Sequence, residues 1–336
     1  MKLLLLGGTA FLGRHLTEAA LQRGYEVTLF TRGKSNPDLY PQAEKITGDR
    51  DGGLEGLRGR KWDAVIDTSG YVPRVVKESA ELLACQVERY VFVSSVSAYA
   101  DLSLPGVAEG APLQHLDEVG SEDVGKHYGA LKALCEQEVL AAFPGDALII
   151  RPGLIVGPYD PTDRFTYWPR RIRKGGEFLA PGRPDAPVQF IDARDLAEWM
   201  LDLTAQQKTG VYNAVGPEQP LTMRTFLETA REELNPDAPL AWVEDEAFLL
   251  EKGLGPWQEM PLWIPAEEIT ADALGMQAVN GEKARSDGLV FRPLAETLRD
   301  TLNWDLSRPV GTPRKAGLSE VKEAELLMAW RRSANV

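Results

Sequence analysis

The sequence predicts an α/β fold, a doubly wound parallel sheet with a smaller, interleaved C-terminal substrate lobe. Three observations predict it. Short apolar runs alternate with amphipathic helical patterns through residues 1–155, the rhythm of βαβ units. Several runs are unbroken Val, Ile, Leu and Phe, as strands covered on both faces require. The first run ends in a glycine-bearing turn, Gly7 to Gly13, that opens a helical pattern.

The elements follow in order. Strands are expected at residues 2–6, 27–30, 44–47, 64–67, 90–94 and 147–151, with helices at 11–23, 73–83 and 126–142 between them. Residues 156–187 are rich in Pro, Gly, Arg and aromatics and read as loop around a ligand. Beyond them lie a strand at 188–191, a capped helix at 192–203, a strand at 211–215 and a helix at 222–234 with Thr222 as N-cap. Residues 250–290 give no clear pattern, and 318–330 read as a terminal amphipathic helix. This gives a dinucleotide-binding domain over 1–155 and a substrate lobe over 156–336, with 188–215 returning to the main sheet.

Composition narrows the function. The 336 residues carry a net charge of −13, which repels nucleic acid and anionic membrane. Two cysteines, Cys85 and Cys135, suit neither a disulfide framework nor a zinc site; buried thiols in a reducing cytoplasm are expected, and no metal. The Leu3–Leu6 run is too short for a signal segment or a membrane span.

The glycines of the first turn have a physical purpose. A tight turn needs backbone dihedrals that a side chain opposes. The opening helix aims free N–H groups and its positive dipole end at a phosphate, and the last glycine lets the helix pack on the strand. Farther along, Tyr128 and Lys132 sit four residues apart, one helical turn on one face. An ammonium there favours the phenolate, so Tyr128 can trade a proton with a carbonyl or alcohol oxygen.

Those motifs resemble the extended short-chain dehydrogenases/reductases, the NAD-dependent epimerase/dehydratase-like family, on a Rossmann-like fold. The turn is similar to its G-x-x-G-x-x-G fingerprint, with Ala10 in place of the middle glycine. Tyr128 to Lys132 matches its Y-x-x-x-K motif. The segment from Tyr90 to Tyr99 resembles its strand-end serine stretch, which implies Ser95 as the hydroxyl that holds the reacting oxygen. Ser94 and Ser97 are expected to satisfy backbone. Val96 and Ser97 stand where sugar-nucleotide dehydratases carry an Asp–Glu pair, so dehydration is not expected. The resemblance runs through Arg151–Pro158, Phe190–Ala197 and Gly210–Gly216.

The resemblance implies a catalytic Ser95–Tyr128–Lys132 triad and a nicotinamide dinucleotide. Cofactor contacts are expected from Gly7, Thr9, Ala10, Phe11, Leu12 and Gly13, from Thr31, Arg32 and Lys34, and from Asp49, Ser69, Tyr128, Lys132 and Pro152. Asp49 reads equally as a turn residue. After the second strand the chain has Arg32 and Lys34 and no carboxylate, which favours NADP(H) over NAD(H) through a 2′-phosphate. Residues 160–183 hold six cations against three carboxylates. Arg164, Tyr167 and Arg183 there are candidate substrate contacts, for a nucleotide-linked sugar among other small molecules. The other reading of that stretch is a basic surface helix with Tyr167 and Trp168 in the core.

Three functions fit: a reductase or dehydrogenase at a carbonyl/alcohol centre, a nucleotide-sugar epimerase with tightly held cofactor, and a non-enzymatic dinucleotide-sensing or RNA-binding relative. A small-molecule substrate, no nucleic acid, no membrane, a cytoplasmic location and room for a homodimer complete the expectation.

Overall fold

The structure, a computed structural model, describes residues 1–118, 120–266 and 268–333. The chain opens with β1 (Lys2–Leu6), α1 (Phe11–Gln22), β2 (Glu26–Thr31), β3 (Glu44–Thr47), β4 (Trp62–Asp67), α2 (Pro73–Leu83), β5 (Val87–Val93), α3 (Val124–Ala142) and β6 (Ala147–Pro152). Its second half contains β7 (Leu154–Val156), α4 (Tyr167–Lys174), β8 (Phe178–Pro181), β9 (Pro187–Asp192), α5 (Ala193–Ala205), β10 (Gly210–Ala214) and β11 (Gly216–Thr222). There follow α6 (Met223–Leu234), β12 (Leu240–Val243), α7 (Glu246–Glu251), α8 (Glu282–Ser286), α9 (Leu294–Ser307) and α10 (Glu320–Ser333).

Seven strands form one parallel sheet in the order β10-β6-β5-β4-β1-β2-β3. Strand order reverses beside β1, which leaves a crevice at the carboxyl ends of β1 and β4, where such sheets take ligands. The apolar runs are explained by two covered faces. Leu3 and Leu5 pack with α1 and α5 in one core, and Leu4 and Leu6 with α2 and α3 in the other. Local chemistry sets the helix starts: Pro73 opens α2, Asp123 accepts from the Lys126 N–H at 3.1 Å, and Thr222 caps α6.

The lobe has its own core around Trp168, Phe226 and Trp263. Its sheets are small: β11-β9-β7 and β12-β8. This corrects the expected return of residues 188–215 to the main sheet. Only β10 joins it, beside β6, while β9 pairs with β7 and β11. The stretch 156–187 is also less irregular than its composition suggests, since α4 and β8 lie within it. Cys135 is buried, which pushes its thiol up to about 12, whereas Cys85 is exposed, against expectation. No helix among the described residues is long and apolar enough to cross a membrane.

Candidate active site

One cavity of about 920 Å³ runs along the carboxyl ends of β1, β4 and β5, from the glycine turn to Trp257. Its first wall is the turn itself. Gly7 and Gly8 have φ of +116° and +105°, and an added Cβ on Gly7 would lie 2.4 Å from Thr68 Oγ1. A Cβ on Gly13 would lie 2.6 Å from the Gly8 nitrogen, so only glycine lets α1 pack this close. Ala10 sits at φ −136°, a conformation open to any residue, and no side chain caps α1 behind it. The methyl group therefore costs the turn nothing, and the first N–H groups of α1 remain for a phosphate. The turn fits a dinucleotide.

Arg32 and Lys34 are exposed at the mouth beyond β2, with Gly33 at φ +68° between them. Asp49 lines the same end and accepts from the Asp51 N–H at 3.1 Å, which makes it a turn residue as well. Ser69 lines the cavity and donates to the Leu6 carbonyl. Pro152 and Leu154 lie opposite. Beneath Ser69, Arg50 is buried and grips Asp67 through both carboxylate oxygens, at 2.6 and 2.5 Å.

Ser95, Tyr128 and Lys132 line the centre of the cavity together. Ser95 follows β5 and its Oγ accepts from the Ser97 N–H at 3.1 Å. Tyr128 follows a kink in α3 at His127. The two meet because Gly129 is glycine: a Cβ there would lie 2.0 Å from the Ser97 carbonyl. Burial pushes the Tyr128 phenol up, and the Ser95 hydroxyl facing it opposes the rise. Lys132 is buried, which lowers its ammonium to about 8. It donates to the carbonyls of Gly70 and Val93 at 2.7 and 2.6 Å. These bonds draw its charge toward the strand ends, so it is not a cause of any lowering at Tyr128.

Ser94 departs from expectation. It donates to the buried Glu136 carboxylate, which also pairs with Arg151 at 2.6 Å, rather than to backbone. Tyr167 and Arg183 are corrected as well. Tyr167 is core, beside Trp168, and Arg183 is half-exposed near Asp185, both outside the cavity. Arg170, Arg171 and Lys174 pair with Asp305, Glu323 and Glu320. The stretch is thus a basic surface helix, and of the three substrate candidates only Arg164 reaches the cavity. Asp192 caps α5 and Asp195 pairs with Arg292, both structural.

Several lining residues had no motif to announce them. Tyr71 lies beside Tyr128, their ring centroids 6.5 Å apart. Gln189 is on β9, and Met276 and Gln277 come from the unpatterned region. Their one signal was polarity inside an apolar strand for Gln189; the others had none.

The NAD dependent epimerase/dehydratase family matches residues 3–80 and 68–215. The chain is 27% identical to the chloroplast stem-loop binding protein of 41 kDa b of Arabidopsis thaliana, over 64% of the chain and 58% of that protein. It is 31% identical to 2-alkyl-3-oxoalkanoate reductase of Stenotrophomonas maltophilia, over 60% of the chain and 64% of that enzyme. The chain therefore spans less than two thirds of either relative. Among solved structures, UDP-glucuronic acid 4-epimerase from Bacillus cereus in complex with NAD superposes with a TM-score of 0.66. The pair share 15% identity, over 92% of this chain and 100% of that one, a likeness of fold.

Proposed function

The chain belongs to the NAD dependent epimerase/dehydratase family, and from that premise we propose that Ser95, Tyr128 and Lys132 carry its chemistry. It is an NAD(P)-dependent oxidoreductase or epimerase of the short-chain type. The carrying observation is that one cavity wall joins an uncapped helix start behind two positive-φ glycines to Ser95, Tyr128 and Lys132.

A nicotinamide dinucleotide held at the glycine turn and the start of α1 would supply or take the hydride. Ser95 holds the reacting oxygen of the substrate. Tyr128, kept protonated by burial, gives that oxygen its proton during reduction and takes it back during oxidation. Lys132 is mainly an ammonium at neutral pH, so it can donate to the cofactor's ribose. Arg32 and Lys34, with no carboxylate on β2's end, support NADP(H); the Bacillus cereus structure names NAD. A nucleotide-linked sugar loses the support of the basic cluster, which is bonded elsewhere.

The test is cofactor accounting. With NADPH or NADH and a carbonyl panel, stoichiometric loss of reduced cofactor supports a reductase. Stereochemical inversion without net loss supports an epimerase. Neither outcome, across carbonyls and nucleotide sugars, overturns the reading. A second reading, stem-loop binding, rests on the name of the Arabidopsis relative; the charge of −13 opposes it.

A further inference from the structure

The substrate end of the cavity is built around one cation. Arg164 lines it, and its buried Nε has no hydrogen-bond partner. Among the described residues no carboxylate is in ion-pair contact with its guanidinium, whose charge the buried Asp160 carboxyl feels and which lies 5.7 Å from the Trp257 ring centroid. A buried donor left unpaired is costly, so a ligand oxygen that meets it is favoured. The other polar groups nearby are already used. Gln189 exchanges hydrogen bonds with Val279, and Gln277 donates to the Leu262 carbonyl. Thr162 donates to Asp160 and accepts from the Arg164 N–H. What remains is Arg164, the Trp257 face and Met276.

Both halves of this clamp are anchored by the same C-terminal arm, residues 308–322. Arg308 pairs with Asp163, whose φ is +61°, and the Lys315 N–H donates to Asp163 at 3.0 Å. Trp257 is held at φ +64°, next to Gln258, whose carbonyl accepts from the Gly317 N–H at 2.9 Å. Lys322 pairs with Glu259 at 2.6 Å. The arm thus fixes the residue before Arg164 and the two after Trp257, so the pair is built in place before any ligand arrives.

We propose that the substrate presents one singly charged oxyanion, a carboxylate or a phosphodiester, to Arg164, and lays a planar or apolar body against Trp257 and Met276. A nucleoside diphosphate brings two charges where, among the described residues, this end offers one cation without an ion pair, and desolvating the second without a partner is costly. The proposal deepens the oxidoreductase reading and rests on it for the position of the reacting carbonyl.

The probes are benzoate and benzenesulfonate as monoanions, benzyl alcohol as the neutral analogue, and UDP-glucose. Each is titrated calorimetrically into the full chain, with and without NADP or NAD. The monoanions bind at least tenfold tighter than benzyl alcohol. R164Q loses that preference, R164K keeps part of it, and cofactor affinity stays within about twofold in both, which also shows that they fold. Benzoate no tighter than benzyl alcohol, or UDP-glucose tighter than both monoanions and unaffected by R164Q, overturns the proposal. Failure of either dinucleotide to bind the wild-type chain marks the separate failure of the oxidoreductase reading, and the anion titrations without cofactor still decide the clamp.

Discussion

The Lys132 ammonium lies 2.6 Å from the carbonyl oxygen of Val93, the last residue of β5, and is buried there. Ser95 stands two residues beyond that carbonyl, so one hydrogen bond ties the basic and hydroxyl members of the proposed triad to the same strand end. The bond does not cancel the cost of burial, which holds the ammonium at about 8 against an ordinary 10.5.

That cost gives a stability prediction with a definite sign. The folded pKa is lowered, so between pH 8 and 10.5 the unfolded chain binds a proton that the folded chain has released. Stability therefore rises with pH through that window, and the full penalty, up to ~3 kcal/mol, applies below it. K132M removes the charge. It is at least as stable as wild type at pH 7 in urea melts, its advantage shrinks toward pH 10.5, and its turnover is lost. A K132M protein that is clearly less stable at pH 7 contradicts this.

Gly129 sets how near α3 comes to the Ser95 segment. A methyl group there would lie 2.0 Å from the Ser97 carbonyl, and backbone cannot yield as a flexible side chain does. Gly129→Ala destabilises the fold by about 1–3 kcal/mol and lowers kcat by separating Ser95 from Tyr128. Thermal melts and steady-state kinetics check both; wild-type values in both refute the close approach.

The Arg50–Asp67 pair is buried, with Asp67 fully enclosed. Removing one partner leaves a charge without a counterpart, at a cost of about 3–5 kcal/mol. Asp67→Asn is expected to lower the urea midpoint accordingly. A loss below about 1 kcal/mol means that the pair opens to solvent.

Arg32 bears on cofactor choice. It is exposed at the cavity mouth, where a 2′-phosphate would meet it. Arg32→Ala weakens NADP at least tenfold and leaves NAD within about twofold, read by fluorescence titration. Equal effects on the two cofactors reject the 2′-phosphate contact.

The main sheet was legible because its evidence is local and periodic: unbroken apolar strands, glycines with a stated backbone task, and the Asp192 cap of α5 packed against it. The placement of Ser95 beside Tyr128 followed from motif order and a family resemblance. The substrate end was not legible. The sequence left Arg164, Tyr167 and Arg183 open between a substrate site and a surface helix with Tyr167 in the core, and only tertiary packing decides that Tyr167 is core and Arg183 lies at the surface. The β9 strand likewise reads as another sheet strand, because an apolar run says that a strand is buried and not which sheet buries it. Trp257 and Met276 come from a stretch with no period at all: the distant C-terminal arm fixes Trp257 through Gln258 and Glu259, and the Leu102 carbonyl fixes Met276 through the Gly275 N–H.

The central claim is that the Tyr128 phenol is the proton donor to the substrate oxygen. The direct measurement is single-turnover hydride transfer by Tyr128→Phe with saturating cofactor, alongside the cofactor dissociation constant. The account predicts a rate lower by about 10²–10⁴-fold with cofactor affinity nearly unchanged. Hydride transfer at the wild-type rate would contradict it.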